Sequence, residues 1–204
     1  SAARSMPQAA TAANGLTASL VRVAGAYLSL RTAQAALQAG IQREESIRRL
    51  TFLAKGYGEV AQAQERAANA GAKFGLSATE SNQQFAQLYG RLRPLNVSLS
   101  DIEAAFVGFN TAAKVSGATT AESAGALLQL TQALGSGVLR GQELNSVLEQ
   151  APGLVVALTQ ELGAPISQIR KLAEEGKITS DVVIRALKRA GTEGADELAA
   201  AMNG

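Results

Sequence analysis

The sequence contains no cysteine and no histidine. The first absence excludes a disulfide framework and thiolate metal sites. The second removes the usual general base and the commonest metal ligand. A serine nucleophile would need another base, and the Ser-x-x-Lys spacing that could supply one does not occur. An excess of charge is also lacking: 19 basic and 17 acidic residues leave a net +2 with no basic stripe, too little for a nucleic-acid footprint. Aromatic residues make up only 4% and prolines number four among 204 residues. Runs of β-branched residues are scarce, so no strand is expected. The apolar fraction is 47%, much of it alanine, which suits a core built from close helix contacts rather than bulky side chains. The length fits one domain with an appended segment.

The expected fold is all-α: a compact domain of short antiparallel helices preceded by a long Ala-rich, heptad-patterned helix. From Gly135 to Gly191 the chain reads as a train of short helices. Apolar residues recur at helical spacing in Leu144, Val147, Leu148; Leu154, Val155, Leu158, Leu162; Ile166, Ile169, Leu172; and Val183, Leu187, Ala190. Pro152 suits a helix start, Gly163, Gly176 and Gly191 suit left-handed stops, and Ser167 and Ser180 suit N-caps. None of these helices is long enough to be stable alone, so they must pack on one another and on upstream elements.

Upstream, three segments read as capping boxes: Ser77-Ala-Thr-Glu80, Ser100-Asp-Ile-Glu103 and Thr119-Thr-Ala-Glu122. Their helices are expected to reach about Leu92, Val115 and Leu134. The inner faces read Phe85, Leu88, Leu92; Ile102, Phe106, Phe109; and Ala124, Leu127, Leu128, Leu134. An Ala-rich helix with Val60, Ala63, Ala67 and Phe74 precedes them and ends near Gly75.

Residues 1–13 read as an irregular lead-in. Leu16, Leu20, Val23, Tyr27, Leu30, Gln34, Leu37 and Ile41 then hold a four-three spacing throughout, a heptad seam with one polar position, Gln34. Two readings stand: self-association of parallel copies, with Gln34 fixing register, or a helix folded back on its own chain. The run Leu16–Leu30 is apolar but carries Arg22 and is shorter than a membrane span, with Arg31 at its end. No acidic residue precedes Glu44. Ile47, Leu50, Ala54 and Tyr57 continue an amphipathic helix whose outer face carries Glu44, Glu45, Arg48 and Arg49, and Gly56 and Gly58 mark a break. The expected divisions are 1–43, 44–191 and a C-terminal extension, 192–204, cut from a longer chain. No secretory signal is read.

The chemistry-bearing candidates are few. Gly135-Ser-Gly137-Val-Leu-Arg-Gly141 lacks the Gly-Lys-Ser/Thr ending and the preceding strand of a phosphate loop, so it reads as a hinge between helices. Glu44/Glu45 and Glu174/Glu175 are sequence neighbours that point to different parts of a helix surface, so neither is a shared-proton dyad. Asp181 suits a helix start, and Lys188 and Arg189 suit the dipole at a helix end. Arg140 and Glu143 could pair locally. No catalytic, cofactor-binding or metal-binding residues are assigned, no cofactor is expected, and the protein is read as a non-enzyme.

The segments Gly137–Leu154, Leu162–Gly163 and Ile169–Val183 resemble the N-terminal helical domain of phage tail tape measure proteins. The matching positions include Leu139, Arg140, Gly141, Gln142, Glu143, Leu144, Asn145, Pro152, Gly163, Leu172, Gly176, Lys177 and Thr179. The likeness extends back to about Ser46 and stops short of residues 1–43. The resemblance implies a structural protein lying in the lumen of the virion tail tube, made in the host cytoplasm during assembly. It would set tail length and template tube assembly. Its implied partners are itself (three copies or a multiple), tail tube and tail tip proteins and tail assembly chaperones. Sequence-specific nucleic acid is not among them, and a membrane enters only at infection. Two other classes remain: a membrane-active or secreted effector using Leu16–Ile41, and a cellular helical adaptor docking in a partner groove.

Overall fold

A computed structural model describes residues 6–193 and residue 200, with side chains from residue 31 onward except those of Glu143, Leu148, Gln150 and Glu193. Among the described residues the chain is all helix, with no strand. The elements are α1 (Met6–Lys55), α2 (Val60–Ala72), α3 (Ala78–Leu92), a 3₁₀ turn (Arg93–Leu95), α4 (Leu99–Val115), α5 (Thr120–Ser136), α6 (Gly141–Gln150), α7 (Pro152–Leu162), α8 (Ile166–Glu174) and α9 (Ser180–Glu193). Contacts divide the chain into two compact units, Ser1–Glu44 and Glu45–Gly204.

The first unit holds most of α1. This helix begins at Met6, not after an irregular lead-in through residue 13; residues 1–5 lie outside the description. Pro7 falls in its first turn, where a missing N–H costs nothing, and alanine has the highest helix propensity. The helix stops at Lys55, and Gly58 takes a left-handed φ of 71° at the break expected there.

The second unit is built around α4, which packs on α2, α3, α7 and α9. Ile102, Ala105, Phe106, Phe109, Ala112 and Ala113 are buried along it, spread round much of its circumference. Phe106 meets Phe85 of α3 edge to face, with ring centroids 5.5 Å apart. Leu50 and Ala54 from the end of α1 join this core, while Tyr57, grouped with them by spacing, is exposed.

Close backbone approach replaces bulk where α4 crosses α9. A methyl on Gly108 would overlap the carbonyl oxygen of Leu187 and lie 2.9 Å from the nitrogen of Gly191. A methyl on Gly191 would lie 2.6 Å from the Ala104 oxygen. Gly191 is therefore not the helix stop its position suggests: α9 runs through it to Glu193, and glycine is needed there for contact. Gly163 and Gly176 do take left-handed φ values of 59° and 68° at the ends of α7 and α8.

Two capping boxes form, Ser77 with Glu80 and Thr119 with Glu122. The third does not. The extended backbone of Ser98 makes it the cap of α4, accepting from Asp101 N, while Ser100 lies inside the helix and Glu103 is drawn off by Arg66 of α2. Ser167 caps nothing, because α8 starts from Pro165. Of the leucines at helical spacing expected in the core, Leu144, Leu158 and Leu187 are fully buried, Leu172 is only partly so, and Leu148 lies outside the described side chains. Leu128 and Ile166 are 48% and 47% exposed: α5 turns its neighbours Leu127 and Leu130 inward, and α8 buries only Ile169 and Ala173.

Candidate functional site

Two regions collect the residues singled out from sequence. On α1, every residue from 31 to 45 is exposed. Gln34 is among them, and the apolar Leu37 and Ile41 are 66% and 55% exposed. The five earlier seam positions, Leu16, Leu20, Val23, Tyr27 and Leu30, lie outside the described side chains. Among the described residues no helix is long and apolar enough to cross a membrane.

The second region gathers the 139–179 positions around two connections. Gly137 leaves α5 in a left-handed conformation, φ 87°. The chain then runs antiparallel to the segment entering α9: Leu139 N donates to Ile178 O at 2.8 Å, and Ser180 N donates to Gly137 O at 3.0 Å. Ser180 does not cap α9. Its buried hydroxyl donates to Leu134 O at 3.0 Å, and the hydroxyl of Thr179 faces Val182 N instead, at 3.5 Å. Leu139 and Leu144 are buried beneath this joint. Arg140, Gly141, Gln142 and Asn145 line an open cleft with Glu174 of α8. The side chain of Glu143, the proposed partner of Arg140, lies outside the description. Pro152 opens α7, and Gly163, Gly176 and Lys177 sit at turns on the surface of the same lobe. The glycine-rich loop is thus a pinned joint between helices, and Gly135 belongs to α5 itself.

Polar pairs not read from sequence tie the helices together. Glu59 accepts from Tyr89 Oη at 2.6 Å and from Arg93 Nε at 2.8 Å, and the guanidinium lies 4.4 Å over the Tyr57 ring. Burial would raise the Glu59 carboxyl, but the Arg93 and Tyr89 hydrogen bonds outweigh it and hold it below the ordinary range. Burial, then Glu59, pushes the Tyr89 hydroxyl up. Lys188 does not simply close α9. It reaches Asp101 in the first turn of α4 and lowers that carboxyl, while Arg189 donates to Gln160 O at 3.0 Å. The hydrogen bonds of their boxes likewise lower Glu80 and Glu122. Among the described residues no three acidic groups come together to hold a metal ion.

The family described as "Tape measure protein" matches the chain over residues 34–204. The match reaches further upstream than Ser46 and includes Gln34, Leu37 and Ile41. No curated protein and no solved structure matches the chain.

Proposed function

The chain belongs to the tape measure protein family, structural components of the phage virion tail, and from that premise we propose that it is a segment of a protein that sets tail length and templates tube assembly from the tube lumen. The family match over most of the chain carries this reading. The long helix α1 supports it, since a helix gives a fixed rise per residue and so a length that can be counted.

In this reading α1 associates in parallel with copies of itself, three or a multiple of three, through Leu16, Leu20, Val23, Tyr27, Leu30, Gln34, Leu37 and Ile41. The exposure of Leu37 and Ile41 supports it, because burying them against a like helix removes apolar surface from water. The boundaries 1–43, 44–191 and 192–204 separate this seam from the helical domain and from a C-terminal extension. Tail tube and tail tip proteins and assembly chaperones are the remaining partners, met in the host cytoplasm during assembly.

The test of the ruler is made in the parent gene. Removing or duplicating four heptads of α1, about 28 residues, should shorten or lengthen tails by roughly 42 Å at 1.5 Å per residue. Tails of unchanged length in both variants, seen by electron microscopy, would refute it. Light scattering tests the seam: the full chain should be oligomeric and a version starting at Gln42 monomeric. Two monomers over a wide concentration range would refute self-association through α1.

A further inference from the structure

A pocket of about 210 Å³ opens where the end of α4 turns into α5. Phe74 and Leu76, from the turn between α2 and α3, form its apolar wall with Ala118, and Asn110, Ser123 and Lys114 supply its polar groups. The surrounding turns are pinned without any occupant: Leu76 N donates to Gly71 O at 3.1 Å, and Ala118 N donates to Ala113 O at 3.0 Å.

Two of the polar side chains are nearly buried, Asn110 at 4% exposure and Ser123 at 6%, and each keeps an oxygen without a partner among the described residues. Asn110 uses its Nδ2 on Phe106 O at 2.9 Å, which turns Oδ1 the other way, and nothing donates to that oxygen. Ser116, Thr131 and Thr159 each donate a hydroxyl proton back to their own helix. Ser123 does not, although such a bond is open to any helical serine. Among the described residues the unpaired polar atoms sealed from the surface belong to Asn82, Gln84 and Gln87. Asn110 Oδ1 and Ser123 Oγ are not sealed, so a group entering the pocket reaches them. Lys114, one turn after Asn110 on the same face of α4, is exposed at the rim and forms no ion pair among the described residues.

These groups together select an occupant. Asn110 Oδ1 accepts, so it requires an N–H. The Ser123 hydroxyl and the Lys114 ammonium both donate, and together they suit a carboxylate. Phe74, Leu76 and Ala118 suit an aliphatic side chain. A bare anion would set negative charge against Oδ1, and a wholly apolar molecule would leave three polar groups unpaired. The last residue of a polypeptide carries all three features: an amide N–H, an α-carboxylate and a side chain. A free amino acid carries an ammonium in place of the amide. No acidic side chain lines the pocket to offset that second positive charge beside Lys114.

We propose that this pocket captures the C-terminal residue of a partner polypeptide, with an apolar side chain on Phe74 and Leu76, the carboxylate on Ser123 and Lys114, and the amide N–H on Asn110. The site lies within the second unit and rests on neither the α1 seam nor the ruler reading, so either can fail without the other.

The probe is N-acetyl-leucine, titrated into the full chain and followed by amide chemical shifts. N-acetyl-leucinamide, free leucine and sodium sulfate are the comparisons, and exposed Gln142 is the reference. The side-chain amide of Asn110 and the backbone amide of Ser123 should shift saturably with N-acetyl-leucine. The amide form and free leucine should bind about tenfold more weakly or worse, the loss expected for a hydrogen bond to a charged group. Lys114→Gln should weaken N-acetyl-leucine by a like factor and leave the melting midpoint in place, because the side chain is exposed. Ser123→Ala should weaken it as well. Shifts that are absent or no larger than at Gln142, equal binding of N-acetyl-leucinamide or free leucine, a saturable response of the same amides to sulfate, or full affinity in Lys114→Gln would each overturn the proposal.

Discussion

Gly108→Ala should unfold the second unit at a lower temperature, although alanine is the better helix former. The exchange contributes up to about 1 kcal/mol through helix propensity. Against this stands the crossing of α4 and α9. The added methyl would lie 2.7 Å from the carbonyl carbon of Leu187 and overlap its oxygen. The deficit is about 0.8 Å against the roughly 3.5 Å of an unstrained contact, and more at the oxygen. These are backbone atoms, so no rotamer change relieves the clash and the helices must move apart. A gap of ~0.5–1 Å already forfeits a quarter to a half of a dispersion contact. It would act on the buried Val183, Leu187 and Ala190 together. Overpacking of this kind costs ~1–3 kcal/mol and occasionally more. With the upper end expected here, the net loss is about 2 kcal/mol, or roughly 4–8 °C in melting midpoint for a unit of this size. Thermal unfolding followed by circular dichroism measures it. Gly141→Ala is the control, because its methyl would meet only the flexible Glu174 side chain at 3.4 Å. Gly108→Ala and Gly191→Ala should also be less than additive, since either one separates the same pair of helices. A midpoint for Gly108→Ala equal to or above that of the parent, with helicity intact, would refute the close crossing.

Ser98→Ala should cost ~0.5–2 kcal/mol as a lost cap, and Ser100→Ala far less; the reverse order in urea melts would mean that α4 starts two residues later. Leu158→Ala should cost ~2–5 kcal/mol, whereas Leu128→Ala, 48% exposed, should stay within about 0.5 kcal/mol; equal effects would contradict the orientation of α5. Stability should fall with acid, because the Glu59 carboxyl is lower in the folded chain than its ordinary 4.5. Its contribution is complete above that value and is lost as pH falls through the folded one. Glu59→Gln should flatten this part of the profile, and an unchanged slope below pH ~4.5 would show that Glu59 does not contribute.

What was legible in the sequence was local. The boxes at Ser77 and Thr119 can be read because donor, acceptor and cap lie within four residues. The left-handed stops at Gly163 and Gly176 follow from a single φ. Ser100 misled because Ser98 presents the same chemistry two residues earlier, and only the backbone decides between them. Gly191 misled for another reason: glycine serves both chain reversal and close approach, and the second depends on which helix arrives opposite. Lys188 and Ser180, read as a helix-end cation and an N-cap, misled because their partners Asp101 and Leu134 come from segments remote in sequence. The motif residues Leu139 to Thr179 are a mixed case. Their spacing identified the family, while their joint at Val138 and Thr179 became visible only in three dimensions.

That joint has a mechanical side. Gly137 O to Ser180 N and Leu139 N to Ile178 O clasp the two ends of the stretch that contains α6, α7 and α8. Tension pulled along the backbone from α5 to α9 meets the Gly137–Ser180 bond first and the Leu139–Ile178 bond behind it, while the loop of α6, α7 and α8 stays packed on α4, α5 and α9. When both hydrogen bonds break, the load passes to that loop. The roughly 40 residues it holds could then pay out about 130–140 Å of extended chain. The clasp is thus a short zipper with chain stored behind it.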